Sequence, residues 1–399
     1  MRFLLAAGVA ASVGLSVVGG SHPASAATTS PTNWTQWGFN AQHTGYNSSE
    51  TVLTRANVGH LVSVFSTRLK GAFPDPIVAN GVVYLANSNG IIEAIDGATG
   101  AYKWRVGPIC YGGISDPAFA NGRVWVGQED PGLAGITTSG NKVVCITWNA
   151  AGIDSSPPSV GHGTVYVAGD YGTLGALDVK TGAVRWGVGL PQDQGQEFDA
   201  SPALSADGGA VFVGGSEYIG NGQSYNLVYK VNAATGAVIW SRNLGTCFGP
   251  NSTVSVSGSM VFVAGCVVYA LSAATGATIW SSAAVEPDTV PAVAGGLVFV
   301  SGYGGTVALK AGDGSLVWQN PAYSYSAPYL GELAIANGVV YVGSDMLNSS
   351  TGAFLGALPP LPSGVSYTGA VIPVDGRVYV CSQNSSTGVV SLDAYTPRS

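Results

Sequence analysis

The strongest constraint on this chain is a repeat. A Thr-Gly pair is followed, four residues after its glycine, by tryptophan: Thr99-Gly100 with Trp104, Thr181-Gly182 with Trp186, Thr235-Gly236 with Trp240, and Thr275-Gly276 with Trp280. Asp96, Asp178, Asn232 and Ser272 stand three residues before each threonine, and Asp313-Gly314 with Trp318 is a weaker copy. Upstream of the copies, small turns open alternating apolar runs, as in Asn80-Gly81-Val82-Val83-Tyr84 and Asn337-Gly338-Val339-Val340-Tyr341. Alternation with period two, bounded by glycine turns, predicts strands. In the first unit these are Pro76 to Ala79, Val82 to Ala86, Ile91 to Ile95, and a fourth carrying Trp104. Four-stranded units of about 42 residues are propeller blades. Innermost strands are expected to start near residues 75, 116, 155, 201, 252, 289, 327 and 369.

The expected fold is therefore all-β, an eight-bladed β-propeller of four-stranded antiparallel blades. The last unit has strands at Gly369 to Pro373, Arg377 to Cys381 and Val389 to Asp393, and no fourth. Leu61 to Arg68 alternates and stands where a fourth strand would precede the first blade. Its pairing there would close the ring and remove an open edge. Asp345 to Asn348 leaves little room for a hairpin in the seventh unit, so seven blades is the alternative.

Composition fits this reading. Only 9% of residues are charged, and hydrophobic residues make up 46%. That excludes disorder and long charged helices. A formal net charge of -7 with six lysines argues against nucleic acid as a partner.

Arg2, the apolar run Phe3 to Val18, and Ala24-Ser25-Ala26 have the order of a secretory signal peptide cleaved after Ala26. An uncleaved anchor helix is the alternative. The segment has no Cys, so it carries no lipobox. The expected organisation is a leader at 1–26, an N-terminal segment at 27–60, and one propeller at 61–399. The mature protein is expected to be secreted or extracytoplasmic, monomeric, and not inserted in a membrane. Export permits disulfides. Cys247 with Cys266 is the first pairing, Cys110 with Cys145 the second, and Cys381 is left over as a buried thiol.

Topology sorts the loops onto two faces. Connections between blades share one face with the hairpins joining second and third strands. The other face carries short turns such as Asn80-Gly81, Asn121-Gly122 and Asp375-Gly376. Asp75, Asp116, Asp154, Asp199 and Asp288 recur at the entrance of innermost strands on the longer-loop face. Glu129, Asp130, Asp170, Asp193, Glu197, Glu217, Glu286 and Asp345 fall in its loops, so this face holds over half of the 22 carboxylates. Tyr171, Tyr218 and Tyr303 stand beside them, and Arg105 and Arg242 are the nearest cations. A carboxylate-lined mouth attracts cations, and hard oxygen ligands suit Ca²⁺. The competing reading is local: Asp before a strand bonds its own backbone, as Asp154-Ser-Ser-Pro157 and Asp199-Ala-Ser-Pro202 suggest. His43, His60 and His162 are dispersed, and no nucleophile elbow, H-E-x-x-H or Walker loop occurs.

Ala94-Ile95-Asp96 with Thr99-Gly100 and Trp104, and its copies, resembles the tryptophan-docking motif of the quinoprotein, or PQQ-like, β-propeller family. Trp34-Thr-Gln-Trp37-Gly38-Phe39-Asn40-Ala-Gln-His43-Thr44-Gly45 and Ala56-Asn57-Val58-Gly59-His60-Leu61 look like the opening of the same superfamily. Nearly all of the mature chain is covered. One branch of the family is the PQQ-dependent alcohol dehydrogenases, which hold PQQ and usually Ca²⁺ on the channel axis with an Asp base. The other is the smaller propellers that include outer-membrane assembly lipoproteins and bind partners. The chain resembles the second branch more: it has no Cys-Cys pair and is shorter than the dehydrogenases. Trp104, Trp186, Trp240, Trp280 and Trp318 are read as blade-to-blade packing residues. Three functions follow as expectations. The first is a non-catalytic propeller binding a protein or cell-envelope partner on the acidic longer-loop face. The second is a PQQ- and Ca²⁺-dependent dehydrogenase of an alcohol or sugar, with Glu217, Asn251 and Asp288 as the set to test. The third is a polysaccharide-binding module using the tyrosines.

Overall fold

The computed structural model describes residues 32–71, 75–87, 89–110, 115–128, 132–147, 156–169, 172–191, 196–197, 201–221, 223–248, 254–321 and 332–398. The expected leader at 1–26 lies outside them.

Eight antiparallel sheets follow one another along the chain. Blade 1 runs Ile77–Ala79, Val82–Ala86, Ile92–Asp96 and Tyr102–Val106, and each strand pairs with the next. The innermost strands of blades 2 to 8 are Ala118–Ala120, Ser159–Gly161, Ala203–Leu204, Val254–Ser257, Ala292–Ala294, Ala334–Ala336 and Val365–Val374. Middle strands are buried on both sides, as in Val82–Ala86, because each blade packs between two others. The turns after the inner strands need left-handed backbone at two successive residues. Asn80 and Gly81 have φ of 53° and 73°, and Asn121 and Gly122 have 50° and 70°. This is why the Asn-Gly pair recurs.

Leu61–Arg68 pairs antiparallel with Val390–Pro397 and completes blade 8. Blade 7 is short but whole. Val339–Val342 turns through Gly343 and Ser344 into Asp345–Asn348, and Phe354–Ala357 follows. The seven-blade alternative falls because two residues suffice for that hairpin. Its inner strand begins at Ala334 rather than near 327, because the connection from Leu316–Asn320 is longer than its repeat position implies.

Each repeat tryptophan bridges to the following blade. The indole Nε1 groups of Trp104, Trp186, Trp240, Trp280 and Trp318 donate to the carbonyls of Thr138, Ala233, Ala273, Ala311 and Ser349 at 2.6, 3.0, 3.3, 2.8 and 2.9 Å. Each ring covers the glycine that ends the next blade's turn. A Cβ on Gly314 would sit 2.6 Å from the Trp280 ring, and one on Gly352 would sit 2.4 Å from that of Trp318. Phe65 of the closing strand covers Gly100 in the same way. Blade 7 has Gly356 opposite Met346, where blades 1 and 3 to 6 carry tryptophan. The 3-10 turn Val58–His60 occupies that space: a Cβ on Gly356 would come within 2.5 Å of the Gly59 Cα.

Candidate functional site

The N-terminal segment visits the innermost strand of every blade in order. Trp34 exchanges two 2.8 Å backbone bonds with Val78 of blade 1, and the Thr35 carbonyl accepts from Phe119 N of blade 2 at 2.6 Å. The Gln36 side chain accepts from Val160 N of blade 3 at 2.6 Å. The carbonyls of Ala41, Gln42, Thr44 and Gly45 accept from Leu204, Val256, Val293 and Ile335 of blades 4 to 7 at 2.6 to 2.8 Å. Asn47 donates to the Pro373 carbonyl of blade 8 at 3.0 Å. An inner strand at the axis has one edge without a strand partner, and these bonds satisfy part of it. They fall at the end of each inner strand, beside the short turns. Trp34, Gln36, His43 and Asn47 are all buried. The segment thus lies across the axis at its short-turn end.

His43 lies within this segment. Its Nε2 is 2.7 Å from Ser159 Oγ, which is 3.0 Å from Ser201 Oγ. A Ser–His contact can activate a nucleophile. Here His43 is 1% exposed and Ser159 0%, so no substrate reaches the pair. Burial lowers the His43 pKa from 6.5 to about 3, only partly opposed by the Val254 backbone. The imidazole is a neutral structural group.

The bonds to the segment also fix a register between blades. Three residues before each docked position stand Asp75, Asp116, Pro157, Ser201, Thr253, Val290, Glu332 and Ala370, in blade order. Carboxylates occupy this position in blades 7, 1 and 2 only, with Ala370 of blade 8 between them. Of the five expected aspartates, Asp75 and Asp116 hold this position. Asp288 lies five residues before its docked position and is exposed. Its neighbour Thr289 caps the strand, accepting from Ser301 N at 2.9 Å, as Ser115 accepts from Gly127 N and Ser156 from Ala168 N.

Asp75 and Asp116 are half-buried and bridge blades. Asp75 accepts from the Ala370 amide, and Asp116 accepts from the Asp75 amide at 3.3 Å. Glu332 is buried, and both its oxygens lie 2.6 Å from the Gly38 amide. Burial raises all three pKa values, well above the usual range for Asp116 and Glu332. The Asp75 charge adds to the rise in both. Backbone amides oppose it: Ala370 for Asp75, Asp75 for Asp116 and Gly38 for Glu332. Sequence reasoning missed Glu332 because the seventh unit was registered too early.

Other expected residues scatter. Glu217 is half-buried on the blade 4 strand Ala210–Gly220, and Tyr303 is 72% exposed at the end of Leu297–Tyr303. Asn251, Glu129, Asp154, Asp170, Tyr171 and Asp199 lie outside the described residues. Among the described residues no group of three or more His, Cys, Asp or Glu could hold a metal ion. Cys110 and Cys145 form a disulfide with Cα atoms 5.8 Å apart, and Cys381 is free and buried. Cys266 is also disulfide-bonded. The side chain of Cys247, its expected partner, lies outside the description. No helix among the described residues is long and apolar enough to cross a membrane.

The family model described as "Outer membrane protein assembly factor BamB" matches residues 23–219, 134–267 and 224–398. The chain belongs to this BamB-like, PQQ-repeat family. BamB of Moranella endobia is 24% identical over 280 residues, covering 67% of this chain and 61% of that protein. The dehydrogenase subunit of the quinone alcohol dehydrogenase of Komagataeibacter europaeus is 28% identical over 218 residues, 53% of this chain and 25% of that protein. The chain thus spans less than two thirds of the length of each of these relatives. BamB from Moraxella catarrhalis superimposes with a TM-score of 0.61 at 19% identity, covering 84% of this chain and 99% of that one. Quinohemoprotein alcohol dehydrogenase ADHIIG of Pseudomonas putida HK5 superimposes with a TM-score of 0.71 at 15% identity, covering 92% and 80%. Both kinds of relative share the propeller, and at these identities the likeness is one of fold.

Proposed function

We propose that this protein is a secreted, non-catalytic propeller that binds a protein or cell-envelope partner on its longer-loop face. The observation that carries the reading is the course of residues 34–47 across the axis at its short-turn end, which favours the other end for recognition. Relatives named as outer-membrane assembly factors support a partner-binding role by analogy.

The dehydrogenase reading requires PQQ on the axis. PQQ is an aromatic quinone bearing three carboxyl groups. It would meet Asp75, Asp116 and Glu332, acceptors already engaged by the Ala370, Asp75 and Gly38 amides, which offer its carboxylates no cation. Across the loops of this face, Lys and Arg occur only at Arg68 and Lys70, with Arg105 near the end of Tyr102–Val106 and Arg242 within Val238–Phe248. Arg105 is already paired with Glu93 at 3.3 Å. The residues present do not fit the group, so no redox step is derived.

The test is photo-crosslinking in the native host. A crosslinking amino acid replaces exposed Tyr303 or Glu286 on the longer-loop face, or Asn80 or Asn121 on the short-turn face. The proposal expects a discrete adduct from the first pair only. Adducts from the short-turn positions alone, or from none of the four, would overturn it.

A further inference from the structure

We propose that a recess where blades 8 and 1 meet binds a phosphate group, carried by a small molecule or a headgroup. It lies on the longer-loop side, has a volume of about 340 Å³, and its walls are residues 68–71 and 387–390. Arg68 ends the closing strand and Lys70 follows in the connection to blade 1; both are exposed. Neither forms an ion pair among the described residues. The neighbouring acid is already engaged: buried Glu93 is held by Arg105 at 3.3 Å and by the Tyr102 hydroxyl at 3.1 Å.

The charge distribution makes this recess unlike the rest of its face. The chain has only 15 Lys and Arg against 22 Asp and Glu, and two cations without ion-pair partners among the described residues meet at one concavity. An Arg fork and a Lys point charge together match the oxygens of a phosphate. Two positive charges suit a group carrying about -1.5 to -2 at neutral pH better than a single carboxylate. The site needs no protein partner, so it stands or falls apart from the proposed function.

Calorimetric titration of the whole protein with inorganic phosphate at low salt tests it. Saturable binding is expected, at least tenfold weaker in Arg68→Gln and in Lys70→Gln, which keep much of the side-chain stem. Lys142→Ala and Lys180→Ala, exposed on the short-turn face, should bind as the wild type does. Melting curves of all four variants check that the fold is intact. Co-flotation with phosphatidylglycerol vesicles, competed by phosphate, assigns the group to a headgroup; phosphate binding without flotation assigns it to a soluble ligand. No saturable binding, or equal losses in all four variants, would overturn the proposal.

Discussion

The buried imidazole of His43 makes the stability of the propeller depend on pH in a direction that one substitution isolates. His43 is 1% exposed, and burial lowers its pKa from 6.5 to about 3. The folded state therefore keeps it neutral while the unfolded chain protonates it. Its contribution is complete above pH 6.5 and is lost as pH falls from 6.5 towards about 3. Each pH unit in that window costs about 1.4 kcal/mol, so at about pH 5 the loss is about 2 kcal/mol. That figure is insensitive to the folded value, which lies well below 5. Asp75, Asp116 and Glu332 act oppositely, because their raised values favour the folded state as pH falls towards the ordinary carboxylate range. A wild-type curve alone mixes both signs. The assay is urea unfolding of wild type and His43→Gln, which retains a polar group towards Ser159, at about pH 7.5 and about pH 5. The stability difference between the two proteins should move by about 2 kcal/mol against the wild type on acidification. An unchanged difference would refute a neutral imidazole held within the segment.

Glu332→Gln keeps an acceptor for the Gly38 amide and removes a group whose pKa is raised. Wild type should lose stability as pH rises above about 4.5, and the variant should lose less; parallel profiles would contradict the assignment. Gly45→Ala places a Cβ 2.5 Å from the Leu333 carbonyl at a φ of +62°, so a cost of at least about 1 to 3 kcal/mol is expected in thermal unfolding. Mass spectrometry of unreduced, denatured protein should find Cys381 as the alkylated cysteine; alkylated Cys247 would overturn the pairing with Cys266.

The blades were legible because their determinants are local and repeated. Thr-Gly with Trp four residues on, and Asn-Gly before an alternating run, each encode one turn and one packing contact. The course of residues 34–47 was not legible. Its partners lie up to some three hundred residues away and most are backbone groups, which leave no side-chain pattern. The same gap hid the acidic cluster. Asp75 and Asp288 look equivalent when counted from the strand start, and only bonding to the N-terminal segment shows that they differ. Glu332 was obscured because the long connection before Ala334–Ala336 displaced the expected start of the blade. Arg68 stands in the expected closing strand, and Lys70 two residues beyond it carries no motif. Their meeting with residues 387–390 depends on ring closure.

Recognition rather than quinone chemistry at the axis can be tested directly. The direct measurement is titration of the purified protein with PQQ in the presence of Ca²⁺, read by the quinone absorbance after gel filtration and by dye reduction over a panel of alcohols and sugars. No retained quinone and no turnover are expected. Stoichiometric quinone that reduces dye with any of these substrates would contradict it.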